Sequence, residues 1–220
     1  MKANKRITLL CGHYGSGKTN VAVNLALSAK KTCEKVAVAD LDIVNPYFRS
    51  KDSIGDLSDA GIRLICSEYA NTNVDIPALP QDLYAITDDR EMRVIVDVGG
   101  DDRGALALGR LTPALVEEND YEMLMVINCY RPLTRDAEST VEVMREIEEA
   151  CRIRFTGLVN NSNLGRETTS EDVLNSVAYA QSVSHACGLP IVMTAVDERL
   201  ASELNGKITN LFPLHLQKKL

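Results

Sequence analysis

No apolar run in this chain of 220 residues approaches the ~18 residues that a membrane-spanning helix needs, which excludes one. The basic start MKANKRITLLCGHYGSGKT carries only a short apolar stretch that runs into a glycine-rich turn. A secretory signal needs a longer one and a cleavage site, so a cytoplasmic protein is expected. Positive charge is scarce: 24 lysines and arginines face 31 aspartates and glutamates, a net charge of −7. Coating DNA requires neutralising phosphates with basic side chains, so no nucleic-acid partner is expected. The six cysteines, Cys11, Cys33, Cys66, Cys129, Cys151 and Cys187, form no CxxC or CxC pair and have no histidine at ligand spacing. They read as small buried hydrophobes in a reducing compartment.

Repeats, low-complexity tracts and linkers are lacking too. With 45% hydrophobic and 25% charged residues the composition is globular, and the chain suits one domain over residues 1–220. At this length a single core can hide roughly 70% of the unfolded surface.

What is present is alternation. Short β-branched runs cover Arg6 to Cys11, Val36 to Asp40, Ile62 to Cys66, Val94 to Val98, Met123 to Asn128, Phe155 to Asn160 and Pro190 to Thr194. Runs such as VIVDV are apolar on both alternating faces, as strands covered by helices on both sides must be. Thr19 to Ala29 is apolar nearly all round. From Thr134 to Cys151, Ala137, Val141, Met144 and Ile147 oppose Glu138, Glu142, Glu146 and Glu149, a core-facing helix with an acidic outer face. Another helix starts near Ser170, where Thr168 and Glu171 have capping-box spacing. The pattern predicts an α/β fold: a doubly wound, mostly parallel sheet of about seven strands with helices on both faces. Only the segment at about 45–87, rich in proline, resists it and reads as a switch or partner-binding surface.

Gly12-His13-Tyr14-Gly15-Ser16-Gly17-Lys18-Thr19 satisfies G-x-x-x-x-G-K-[ST] between a strand and a helix. Glycines let successive N–H groups turn inward around phosphates, and the following helix adds its dipole. Lys18 would reach the β and γ phosphates and the Thr19 hydroxyl would bind Mg²⁺. A dinucleotide site is the competitor, but Asn20 stands where its third glycine should be and Lys18 has no role there. Val94-Ile95-Val96-Asp97 is an apolar strand ending in a carboxylate suited to the metal shell. After it Gly99 and Gly100 permit close approach to a γ-phosphate, and its loss could move the Asp101-Asp102-Arg103 loop. Ala39-Asp40-Leu41-Asp42 ends another strand: Asp40 could join the metal shell and Asp42 orient the attacking water, unless both merely cap a turn. Gly157 to Asn163 closes a strand with amides, and an asparagine can pair with adenine. Guanine readers use N-K-x-D, where this chain has Asn161 and Asn163 in place of the lysine and aspartate. ATP is therefore expected rather than GTP.

The segments GHYGSGKTN, VADLDIVNP, VIVDVGGDD, GLVNN and GLPIVMTAVDERLASEL, in this order, resemble the deviant-Walker P-loop ATPases of the MinD/ParA/CobQ-CobB superfamily, of the SIMIBI class. The resemblance implies that Lys18 and Thr19 bind phosphate and magnesium, that Asp42 activates water, and that Asn160 contacts adenine. It also implies an ATP-dependent homodimer closing face to face across the nucleotides. The signature lysine of such loops is His13 here, and Tyr14 replaces a glycine. A shorter, neutral side chain stabilises phosphate charge less well, so slow basal hydrolysis, or an arginine substitute such as Arg49 or Arg103, follows.

The candidate nucleotide contacts are thus Gly12, His13, Tyr14, Gly15, Ser16, Gly17, Lys18, Thr19, Asn20, Gly100, Asn160 and Asn161. Catalysis falls to Lys18 and Asp42, and the metal to Thr19, Asp40 and Asp97. The leading expectation is an ATPase switch in which ATP and Mg²⁺ close a dimer and a client protein binds around Tyr47 to Ile86. The alternative is an ATP-dependent small-molecule enzyme, as in the CobQ/CobB branch or dethiobiotin synthetase. A third is metallocofactor insertion, for which Cys11, Cys66 and Cys129 lie at strand ends. A fourth, positioning of a cellular structure, would need the C-terminal Phe212 to Leu220 to lie on a membrane. Too few residues follow Pro213 for a stable interfacial helix, so a tail docked on the domain is expected and a membrane partner is not.

Overall fold

The computed structural model of the protein describes residues 5–41, 55, 57–66, 81–100 and 102–216. Its centre is a sheet of eight strands in the order β3-β2-β4-β1-β5-β6-β7-β8. In chain order β1 (Ile7–Cys11) leads to α1 (Lys18–Lys30), followed by β2 (Val36–Asp40) and β3 (Arg63–Cys66). The short α2 (Ala85–Asp88) precedes β4 (Arg93–Asp97), α3 (Asp102–Glu118) and β5 (Tyr121–Ile127). Then come α4 (Ala137–Cys151), β6 (Gly157–Asn160), α5 (Ser170–Cys187), β7 (Ile191–Asp197), α6 (Glu198–Leu204) and β8 (Leu211–Leu214). Every neighbouring pair runs parallel.

The side-chain period of two splits each strand between two cores. On β1, Ile7, Leu9 and Cys11 join Leu108, Leu111 and Leu115 of α3, Met144 of α4 and Val183 of α5. Leu10 faces the other way, into a core with Val21, Ala22 and Ala26 of α1 and with Val38, Ile95 and Val126 of the sheet. Helices therefore cover both faces, and each fully buried leucine contributes about 1.5–3 kcal/mol. The acidic-faced helix α4 is capped by Asp136, whose carboxylate accepts from the Ser139 N–H at 2.9 Å. Those bonds hold the Asp136 carboxyl below its ordinary value.

β1 is flanked by β4 and β5, so the chain leaves it in one direction and later returns past it in the other. Such a switch point opens a crevice beyond the carboxyl ends of the strands, where ligands bind in doubly wound sheets.

Three details differ from the sequence reading. The sheet has an eighth strand: the C-terminal tail adds Leu211–Leu214 to β7. Its Pro213 cannot donate to a ladder, which hid the strand, but an edge position tolerates proline. The capping box of α5 lies one residue later than expected, between Thr169 and Asp172. Asp102 and Arg103 open α3 instead of lying in a loop. That helix also holds Pro113, and the Thr112 hydroxyl binds the Cys151 carbonyl at 2.8 Å, tying α3 to the end of α4. Asp42, Tyr47 and Arg49 lie outside the described residues, as does most of the segment at 45–87.

Candidate functional site

Three backbone dihedrals in the left-handed region shape the turn after β1: Gly12 at φ 149°, Gly15 at 77° and Gly17 at 87°. A Cβ on Gly12 would meet the Val126 carbonyl oxygen of β5 at 2.5 Å, and one on Gly17 would meet Asn161 Nδ2 at 2.3 Å. A positive φ favours glycine at both places, and at Gly12 the obstacle is main chain that cannot step aside. The turn is closed by the Ser16 N–H on the His13 carbonyl (3.1 Å), and Gly17 caps the start of α1.

Lys18 is buried and folds its ammonium back over the loop, donating to the carbonyls of Gly12 (3.0 Å) and His13 (3.3 Å). The Ser16 hydroxyl is fully buried and, among the described residues, has no hydrogen-bond partner. An orphaned hydroxyl inside a glycine cradle is what a loop built around phosphate oxygens leaves when read alone, since buried polar groups are otherwise paired.

Thr19 Oγ1 donates to Asp97 Oδ2 at 2.5 Å. Asp97 and Asp40 are both buried, and the β2–β4 register sets them side by side at the sheet's carboxyl edge. Two carboxylates and a hydroxyl fit the partial shell of Mg²⁺, which keeps waters and takes the rest of its oxygens from phosphate. Gly100 lies against the loop, where a Cβ would meet the Tyr14 backbone nitrogen at 2.6 Å.

A cleft of about 620 Å³ extends from this end, lined by Tyr14, Gly15, Gly17, Lys18, Thr19, Asn20 and Asp97, past Asn161 and Ser162 to Thr168, Val173, Val196, Leu214 and Leu216. Asn161 joins its two ends: its Nδ2 donates to the Ser16 carbonyl at 2.7 Å. Asn160, by contrast, turns inward, donating to Ser176 Oγ of α5 (2.9 Å) and accepting from the Ser162 N–H (3.2 Å). Its side chain is not among those forming the cleft wall. Nor is that of His13, whose Nδ1 lies 3.0 Å from the Tyr14 carbonyl.

Sequence reasoning missed Arg131, which enters the wall from the turn after β5 and donates from Nε to the Gly15 carbonyl at 2.9 Å. A cation in the short turn between an apolar strand end and Pro132 was the available signal. It also missed Leu214 and Leu216, which Asn24 of α1 secures by bonding the His215 main chain in both directions (2.8 and 3.1 Å).

The cysteine readings separate. Cys11 is sealed in the sheet, and burial pushes its thiol well above the ordinary value, with Cys151 adding to the rise and Lys18 opposing it. A buried protonated thiol is inert toward metal. Cys129 is partly exposed, while the Cys66 side chain lies outside the described residues. Among the described residues no three His, Cys, Asp or Glu side chains converge to hold a metal. No described helix is long and apolar enough to cross a membrane.

No family model matches the sequence, and no curated protein matches it. Solved structures do match. FtsY from Thermotoga maritima superposes with a TM-score of 0.56 at 20% identity, over 87% of this chain and 62% of that one. The signal recognition particle 54 kDa protein from Aeropyrum pernix, in complex with GDP, gives 0.55 at 18% identity over 88% and 42%. FlhF complexed with GMPPNP and Mg²⁺ gives 0.51 at 14% identity over 88% and 67%. The fold is that of the P-loop NTPases. The chain spans about 60% of the length of the FtsY structures it matches.

Proposed function

We propose that this chain is a Mg²⁺-dependent ATP-binding protein and slow ATPase, working as one nucleotide-binding unit and as a switch for a client protein. The observation that carries the reading is the glycine cradle with its buried Lys18 and orphaned Ser16 hydroxyl, adjoining the Thr19–Asp97 pair. Main-chain N–H groups and the Lys18 ammonium bind the β and γ phosphates. Thr19, Asp40 and Asp97 hold Mg²⁺, which when bound neutralises phosphate charge. Asp42 orients a water whose oxygen forms the new bond to the γ-phosphorus as the bond to the ADP oxygen breaks, giving ADP, phosphate and a proton.

Adenine is favoured by the far end of the cleft. Its carboxylate, Asp197, caps α6 and holds Arg199 Nε at 2.6 Å, so it is engaged rather than open to a guanine edge. Asn163 spends its amide within its own loop, on the Asn161 carbonyl and the Gly165 N–H. The second reading is guanine, favoured by the matched structures solved with GDP and GMPPNP. Closure as an ATP-dependent homodimer is supported by exposed Tyr14, Leu133 and Leu164, which lie in or beside the wall-forming segments.

Calorimetric titration with ATP and GTP in Mg²⁺ tests the reading. ATP uptake, with GTP at least tenfold weaker, is expected. Tighter GTP binding selects the second reading, and no uptake of either refutes both. Asp42→Asn is expected to abolish turnover while retaining ATP and to shift the chain toward a dimer in size-exclusion chromatography.

A further inference from the structure

With His13 turned onto the Tyr14 carbonyl and outside the cleft wall, the loop supplies one buried cation, Lys18. A triphosphate carries more negative charge than one ammonium offsets. The turn after β5 brings a second cation to the same place.

Asn128, fully buried, builds that turn. Its Oδ1 accepts from the Tyr130 N–H (3.0 Å), and its carbonyl accepts from the Arg131 N–H (3.1 Å) and the Thr134 hydroxyl (2.8 Å). Pro132 opens the following 3₁₀ turn, Pro132–Thr134, with its φ already set, and the Thr134 N–H returns to the Arg131 carbonyl at 3.1 Å. The Arg131 backbone is thereby fixed on both sides. Its side chain is exposed and crosses to the P-loop, where Nε donates to the Gly15 carbonyl. The guanidinium packs close against the loop: a Cβ on Gly15 would sit 3.5 Å from Nε and 3.7 Å from Cζ. One of its five N–H donors is used; among the described residues the Nη groups have no hydrogen-bond partner, and Arg131 is one of the residues that line the cleft. A planar fork with open donors is suited to paired phosphate oxygens.

We propose that Arg131 is a phosphate-binding residue acting in cis, anchored through Nε on the Gly15 carbonyl and presenting its Nη donors to the outer phosphates of the bound nucleotide. It provides within one chain the charge that His13 does not. Neither Arg49 nor Arg103 is needed for this. The inference rests on the nucleotide-binding reading above.

The test titrates the full chain with ATP, ADP and AMP in Mg²⁺, comparing wild type with Arg131→Ala, Arg131→Lys and the neighbouring control Arg135→Ala. Arg135 is exposed and, among the described residues, pairs with Asp136 alone. Arg131→Ala is expected to weaken ATP about 10–100-fold, the range for hydrogen bonds to charged groups, with AMP affinity and thermal midpoint unchanged. Arg131→Lys should restore part of the loss, and Arg135→Ala should match wild type. Unchanged ATP affinity in Arg131→Ala, or equal losses for ATP and AMP, would overturn the role of Arg131 while leaving the nucleotide site standing. Failure of the wild-type chain to take up any of the three would overturn the nucleotide reading and this one with it.

Discussion

The two ends of the sheet both bury charge, but they treat it differently. At the amino end, Arg6 is paired with Glu118 through Nε and Nη2, and its other N–H groups reach the carbonyls of Ile86 (3.0 Å), Met92 (3.0 Å) and Asp89 (3.2 Å). Beside it Arg93 donates to Thr8 Oγ1 at 2.7 Å, although its Nη1 amino group has no partner among the described residues. At the carboxyl end, Ser16 Oγ and Asn20 Oδ1 are buried without partners among the described residues, and Lys18 rests on main-chain carbonyls of its own loop. Arg6 is nearly saturated by the protein itself, as a charge held for stability must be. The opposite edge keeps bonding capacity in reserve, as a ligand site does.

That contrast can be broken experimentally. The largest effect is expected from Arg6→Ala, which takes the partner from the half-buried Glu118 and from three main-chain carbonyls. It should cost about 3–5 kcal/mol in denaturant unfolding, with nucleotide affinity unchanged, and replacing both partners by apolar residues should recover most of the loss. Gly12→Ala is next. Strain at its φ costs about 1–3 kcal/mol, and the overlap with the Val126 carbonyl adds to this because backbone cannot step aside. Gly17→Ala should cost less in stability, since its obstacle is the movable end of Asn161.

Lys18→Ala should do the reverse of Arg6→Ala: a 10–100-fold loss of triphosphate affinity by calorimetry, with unfolding free energy altered by about 1 kcal/mol or less. If it unfolds the chain instead, the distinction between the two edges fails. Thr169→Ala, at the cap of α5, is the smallest, about 1 kcal/mol. Its partner Asp172 is held below the ordinary aspartate value by hydrogen bonds from the Thr169 side chain and main chain. A depressed folded pKa contributes stability above the unfolded value, near about 4, that is lost as pH falls through the folded one. Thermal scans below pH 4 should therefore show the Thr169→Ala penalty shrinking.

The glycine loop was legible in the sequence because its residues are local: eight consecutive positions hold the glycines, the lysine and the threonine. The strand that ends in Asp97 was equally plain from its apolar run. The far end was not. Asn160 and Asn161 are adjacent and chemically identical, yet one bonds Ser176 of α5 and the other reaches the Ser16 carbonyl. Which does which depends on strand pleat and on what lies opposite, neither of which spacing records.

By itself, then, the sequence determined the alternation of strands and helices, the glycine cradle and the order of its acidic strand ends, since backbone freedom and hydrophobic period act over a few residues. Only the tertiary structure decided that Pro213 sits in an edge strand, that Leu214 and Leu216 wall the cleft, and that Arg131 meets Gly15. Each of these joins residues far apart in the chain, and burial in the folded sheet, not local propensity, brings them together.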